Sequence, residues 1–331
     1  MKSPNLFGAL LLLISISTLH ADSVRLENFE YPFPVKTYRF TNQQQELEMA
    51  YMDVRPEKPA KGTVVLLHGK NFSGAYWKQT AQALNAAGYR VLMPDQIGFG
   101  KSSKPPHYQF SFHQLAANTH ALFRSLDIKK AHLLGHSMGG MLATRYALLF
   151  PDEVQSLTLM NPIGLEDWLG KGVPYTGIDA AYQQELKQTP EKIRSYQLEN
   201  YYDGKWRPEY EPWVKMLTQF LESPDYKRMA WNQALTTDMV LTQPVVHEFP
   251  QIKTPTLLII GQRDRTALGK NLVSEEKRKA FGNYPELGRK AAAAIPNSKL
   301  VELEGIGHMP HIEAFEKFIK PLQTFLNAQS K

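Results

Sequence analysis

Leu133-Leu134-Gly135-His136-Ser137-Met138-Gly139-Gly140 is the stretch whose reading decides the fold. A short apolar run, residues 131–134, meets a serine flanked by glycines, and helix-compatible residues follow from Met141. The run reads as the end of a buried strand, and Met141, Leu142, Ala143, Tyr146 and Ala147 read as the inner face of a helix. Gly135 and Gly139 stand two residues to either side of Ser137, the spacing of a strained strand-to-helix turn. Side chains at those two positions would collide with the neighbouring strand and helix. Such a turn lifts the serine hydroxyl clear of the sheet. It also leaves the Met138 N–H at a helix N-terminus, where it can donate to a developing negative charge. The spacing alone is common by chance, so a base, an acid and a second donor must be found elsewhere in the chain.

Working outward, the neighbouring segments alternate. Residues 35–41 and 46–53 predict an antiparallel hairpin. Residues 62–67 form a continuous apolar, β-branched run, as expected of a strand covered on both faces. Trp77, Ala81 and Leu84 fall at helical spacing, residues 90–94 are the next strand, and Phe112, Leu115, Ala116, Thr119, Leu122, Phe123 and Leu126 mark a second helix face. Further strands are expected at 154–160, 256–260 and 298–302, with a terminal helix over 313–326. Strand–helix alternation of this kind implies a mostly parallel, eight-stranded sheet flanked by helices, with ligands at the carboxyl ends of its strands.

The alternation stops over residues 161–249. That segment holds four of the five tryptophans (Trp168, Trp206, Trp213, Trp231) and seven of the fifteen tyrosines. It predicts a helical cap inserted in a core made of residues 22–160 and 250–331, with some rings forming the cap's interior and some facing a pocket.

A serine hydroxyl needs a base to take its proton, and the base needs a carboxylate to fix its tautomer. In a parallel sheet both belong just beyond later strands. Asp264 follows the strand at 256–260, and His308 follows the strand at 298–302 in a glycine-containing loop. Glu166 or Asp167 is the alternative acid, and His311 the alternative base. His68-Gly69 follows the first buried strand. Gly69 lets the backbone come close to the serine turn, so that the Lys70 N–H can face the same oxyanion as the Met138 N–H. His68 itself reads as a hydrogen-bonded structural histidine, and the Lys70 side chain has no expected role.

Other chemistries find little support. The formal charge of +6 comes from scattered Lys and Arg, a solvated basic surface rather than a nucleic-acid patch. Gly100-Lys101-Ser102 resembles the end of a phosphate loop, but Asp95 stands where its first glycine is required. Residues 95–102 therefore read as a tight turn bracing the rim of the site. The ten histidines show no metal-ligand spacing, and no cofactor is expected. No cysteine is present, which removes disulfides, thiolate sites and lipidation through cysteine. Lys2 followed by an apolar run over 6–19 and Leu19-His20-Ala21 reads as a signal peptide spanning residues 1–21, cut after Ala21. It implies a periplasmic or secreted protein with no stable membrane anchor after cleavage.

With these residues assembled, the chain resembles the α/β-hydrolase superfamily, in its capped, single-domain bacterial branch of esterase- and lipase-like serine hydrolases. The resemblance rests on His68-Gly69, Asp95-x-x-Gly98-x-Gly100-x-Ser102, Gly135-x-Ser137-x-Gly139-Gly140, Asp264 and Gly307-His308. It implies Ser137, His308 and Asp264 as nucleophile, base and acid, and Lys70 and Met138 as oxyanion donors. The implied substrate is a small, partly apolar carboxylic ester, thioester or lactone. The same triad in relatives serves C–C or amide hydrolysis and cofactor-free perhydrolysis, and a catalytically silent ligand-binding member is the remaining alternative. Lys70-Asn71-Phe72 departs from the glycine-rich form of this loop in some lipases and esterases.

Overall fold

The computed structural model describes residues 24–330; the signal peptide expected over 1–21 lies outside the described residues. Eight strands form one sheet: β1 (Val35–Asn42), β2 (Gln45–Val54), β3 (Thr63–Leu67), β4 (Arg90–Pro94), β5 (Ala131–His136), β6 (Val154–Met160), β7 (Thr256–Gly261) and β8 (Ser298–Leu303). Their spatial order is β1-β2-β4-β3-β5-β6-β7-β8. The β1–β2 and β2–β4 pairs are antiparallel, and every other pair is parallel. The hairpin, the sheet and the strand positions expected from the sequence are all present.

Each covered strand feeds two cores, because successive side chains point to opposite faces. On β3, Val65 and Leu67 enter one core while Val64 and Leu66 enter the other. On β7, Leu258 and Ile260 part in the same way from Leu257 and Ile259. Helix α1 (Lys78–Ala86) supplies Ala81 and Leu84 to the second core, whereas α2 (Phe112–Ser125) and α3 (Met138–Leu149) supply the first. Truncating a leucine in either core to alanine costs about 2–5 kcal/mol.

Between β6 and β7 lie α4 (Ile178–Glu185), α5 (Pro190–Asn200), α6 (Glu211–Leu221) and α7 (Tyr226–Thr242), the inserted helices foreshadowed by the aromatic segment. The first part of that segment, with Ile163, Leu165 and Trp168, packs into the same core as α3. After β7 come α8 (Glu275–Arg278) and α9 (Tyr284–Ala294); after β8 come α10 (Pro310–Glu313) and α11 (Phe315–Gln329). The terminal helix thus starts two residues later than its sequence pattern suggested. Ala314, at φ −148° and ψ 60°, breaks the run into a short turn and a long helix.

Register explains how distant loops meet. Leu67 of β3 lies opposite Gly135 of β5, and His136 lies opposite Met160 of β6. The residues just beyond these pairs, Gly69, Ser137 and Asn161, therefore emerge at one end of the sheet. Gly261 of β7 is paired with Leu303 of β8, so Asp264 and His308 follow from the same edge.

Candidate active site

Ser137 sits at the junction of β5 and α3 with φ 55° and ψ −121°. A non-glycine residue in this region is strained, and surrounding structure must hold it there. The holding contacts are backbone bonds: the Ser137 N–H donates to the Met160 carbonyl (3.3 Å), and the Ser137 carbonyl accepts from Gly140 (2.9 Å) and Ile163 (3.2 Å). The flanking glycines have no room for a side chain. A Cβ on Gly135 would lie 2.1 Å from the Gly139 carbonyl oxygen, and one on Gly139 would lie 2.1 Å from that of Leu67. Met138 is the first residue of α3, so its N–H has no preceding turn to bond.

Asp264 and His308 come together. His308 Nδ1 donates to Asp264 Oδ2 at 2.6 Å, and both side chains are buried. The same carboxylate oxygen accepts from Asn161 Nδ2 (2.7 Å), while Oδ1 accepts from the Thr266 N–H (2.8 Å). Burial by itself would raise the Asp264 carboxyl, but the His308 ring, the Asn161 amide and the Thr266 N–H outweigh it and hold the group below the ordinary aspartate range. The carboxylate is therefore ionised and fixes His308 with its proton on Nδ1, leaving Nε2 as the basic nitrogen. Tyr201 stacks on that imidazole, with centroids 5.0 Å apart and planes 21° apart.

Asn161 escaped the sequence reading, where it looked like the first residue of the inserted segment. It has φ 39°, and its side chain is used at both ends: Nδ2 on Asp264, and Oδ1 accepting from the Gly261 N–H (3.0 Å). The available signal was a polar residue ending the strand next to the serine turn.

The alternative acids and base have other surroundings: Asp167 accepts from the Gly170 N–H (2.8 Å) and meets His247 Nε2 (3.0 Å). Glu166 accepts from Trp168 Nε1 (3.1 Å) and the Gly282 N–H (2.8 Å), and pairs with Lys171. His311 is buried against Tyr76 and Trp77, and neither ring nitrogen has a partner among the described residues. Burial pulls it down to about 3, so it is neutral. In the loop at residues 95–102, Asp95 accepts from the Gly74 and Lys101 N–H groups (both 2.7 Å) and from Tyr31 Oη (2.6 Å), which closes a tight turn.

The Gly69 loop is pinned beside the serine. A Cβ on Gly69 would lie 3.1 Å from Ser137 Cβ. His68 Nε2 accepts from the Gln96 N–H (3.0 Å), so its Nδ1–H donates to the Gly69 carbonyl (2.9 Å). The Gly69 N–H donates to Tyr76 Oη (2.9 Å), whose own proton goes to His136 Nδ1 (3.0 Å). His136 Nε2–H then donates to the His308 carbonyl at 2.8 Å. One buried chain of hydrogen bonds thus ties the loop carrying Lys70, the serine turn and the loop carrying His308. Burial first, and then the neighbouring His308, keep His136 well below the ordinary histidine range, so it stays a neutral strut.

Comparison with known proteins gives the family. A family profile described as alpha/beta hydrolase fold matches residues 62–315. The chain belongs to the α/β-hydrolase family. A crystal structure of a probable hydrolytic enzyme from Pseudomonas aeruginosa PAO1 is 51% identical, covers 92% of this chain and 97% of that one, and superposes with a TM-score of 0.90. Lipase 1 of Psychrobacter immobilis is 25% identical over 276 residues, 80% of this chain and 78% of the lipase. The enol-lactonase of Burkholderia xenovorans LB400, 22% identical with a TM-score of 0.65 over 85% of this chain and 97% of its own, shares the fold. The hydrolase places Ser137 on a cavity of about 430 Å³, with Phe72 and Ile163 from the sheet side and Tyr201, Phe220 and Met229 from the inserted segment.

Proposed function

We propose that this α/β-hydrolase cleaves a carboxylic ester, thioester or lactone through an acyl-enzyme formed on Ser137. The observation that carries the reading is the 2.6 Å bond from His308 Nδ1 to a buried, ionised Asp264, in a loop whose carbonyl is tied to the residue preceding Ser137. Ser137 Oγ attacks the carbonyl carbon and its proton passes to His308 Nε2. The charge on the resulting imidazolium is balanced by Asp264, which keeps its own proton-free state throughout. The oxyanion lies between the N–H groups of Lys70 and Met138; losing one such donor costs about 10²–10³ in rate. His308 returns the proton to the leaving oxygen or sulfur as the tetrahedral adduct collapses. Water, deprotonated by the same nitrogen, then releases the acid and restores Ser137.

The mostly apolar lining of the 430 Å³ cavity supports a substrate of modest size with an apolar part. Turnover of p-nitrophenyl butyrate by wild type and Ser137→Ala tests the assignment. The variant is expected to fold as wild type and to lose about 10⁶ in kcat, the scale seen when a triad nucleophile is removed. Substantial hydrolysis by folded Ser137→Ala refutes it. The leader at residues 1–21 belongs to the same proposal, and a mature chain beginning at Asp22 in the periplasm or medium is its expected product.

A further inference from the structure

The Lys70 side chain has no part in the chemistry just described, although its backbone N–H does. It enters the cavity beside Ser137 and is largely buried, with 14% of its side chain exposed. Its ammonium group has three N–H donors and no acceptor. One donor reaches Gln233 Oε1 on α7 at 2.6 Å. Glu185, at the end of α4, stands 3.8 Å away, within ion-pairing range and beyond hydrogen-bond reach. The other charged group on the cavity wall is Lys192, whose ammonium donates to the Lys187 carbonyl at 2.7 Å. The charged groups beside Ser137 are therefore Lys70 and Glu185, while the Lys192 ammonium turns to the exposed Lys187 carbonyl. Burial pulls Lys70 below the ordinary lysine range, and the neighbouring Glu185 offsets part of that pull.

A purely aliphatic chain laid against this wall would strip water from the Lys70 ammonium without offering it an acceptor. A carboxylate there would instead take the Lys70 donors that Gln233 does not use. Resting on the serine-hydrolase reading above, we propose that Lys70 selects the substrate: the cavity takes esters whose acyl part carries a terminal carboxylate, which binds the Lys70 ammonium in competition with Glu185.

The test compares p-nitrophenyl monoesters of succinic, glutaric and adipic acid with the butyrate, pentanoate and hexanoate esters of matching length. The quantity read is the ratio of kcat/KM for the carboxylated over the neutral ester at each length. Lys70→Met is expected to lower the ratio by about 10-fold or more at the best length, the loss typical of a charge-assisted hydrogen bond. Lys70→Arg should largely preserve it, and Glu185→Gln should raise it by removing the competing carboxylate. A ratio in Lys70→Met within about twofold of wild type at every length overturns the inference. Should Lys70→Met fail to fold by near-UV circular dichroism, Glu185→Gln decides: a ratio at or below wild type at every length overturns it equally. Wild type that hydrolyses neutral esters while the ratio stays unmoved removes the Lys70 inference alone. Wild type that hydrolyses no ester and takes no phosphonate on Ser137 removes the serine-hydrolase reading, and this inference with it.

Discussion

The two sides of the cavity are built differently. On the sheet side, α3 buries ten of its twelve residues behind Ser137. Asp264, His308 and His136 are each no more than 1% exposed. On the inserted side, α4 buries none of its eight residues and α5 buries one of eleven, Gln197. The first side gets its geometry from close packing, strand register and hydrogen bonds to backbone. The second joins the sheet side through α6 and α7, which bury Met216, Phe220, Met239 and Val240 in the two cores, whereas α4 and α5 are held by side-chain links such as Asn71 Nδ2 to Tyr201 Oη (3.0 Å). Dense packing resists displacement, because a closely packed interior has no slack to absorb it. On the proposed reading, reaction geometry belongs to the sheet side, and substrate choice falls to what α4 and α5 present to the cavity, where exchanging one exposed side chain disturbs little else.

The largest break in this contrast is expected from Asp264→Asn. The change preserves shape but removes the charge that holds the His308 tautomer, and kcat should fall by about 10⁴ with KM little altered. Steady-state kinetics on a neutral ester checks this; a loss confined to KM would place Asp264 outside the chemistry.

Tyr76→Phe sharpens the contrast from a residue that does not line the cavity. Removing one oxygen leaves the Gly69 N–H and His136 Nδ1 unpaired in a buried site, which costs about 1–3 kcal/mol. If the chain of bonds positions the oxyanion loop against the His308 loop, kcat should fall by about 10-fold while KM holds. An equal effect in Tyr76→Phe, His136→Gln and the double variant would mark a single unit. Loss of stability with unchanged kcat would show a purely structural role.

The remaining expected effect is on stability rather than rate and concerns pH. His311 is neutral in the fold, titrating at about 3, whereas in an unfolded chain it takes a proton near 6.5. Between these values the unfolded state binds more protons, so stability rises with pH and is lost as pH falls from about 6.5 towards 3. His136 is depressed in the same direction by its burial and lies 5.3 Å from His311, centroid to centroid. His311→Phe should reduce the slope of unfolding free energy against pH by about one proton, or roughly 1.4 kcal/mol per pH unit, between pH 4 and 6. Urea midpoints across that range measure it, and an unchanged slope contradicts the neutral assignment.

Much of the sheet side was legible in the sequence because its requirements are local. Gly135 and Gly139 are forced by atoms in the same turn or on the next strand, and Asp264 and His308 stand just after runs that read as strands. What escaped depends on register between remote segments. Asn161 gains its role because β6 lies between β5 and β7, and His136 because its two nitrogens meet Tyr76 and His308. Neither pairing follows from residue type or spacing. The inserted helices were legible only as aromatic and helical, since the partners of Lys70 lie on two helices far along the chain, at Glu185 and Gln233.

On the proposed reading Ser137 is the nucleophile, activated from this closely packed side. Treating the folded protein with a fluorophosphonate and locating the adduct by peptide mass spectrometry tests it most directly. One phosphonyl group is expected, on Ser137, with labelling lost in Ser137→Ala and much slowed in Asp264→Asn. An adduct on another residue, or a folded wild-type protein that takes none, would contradict it.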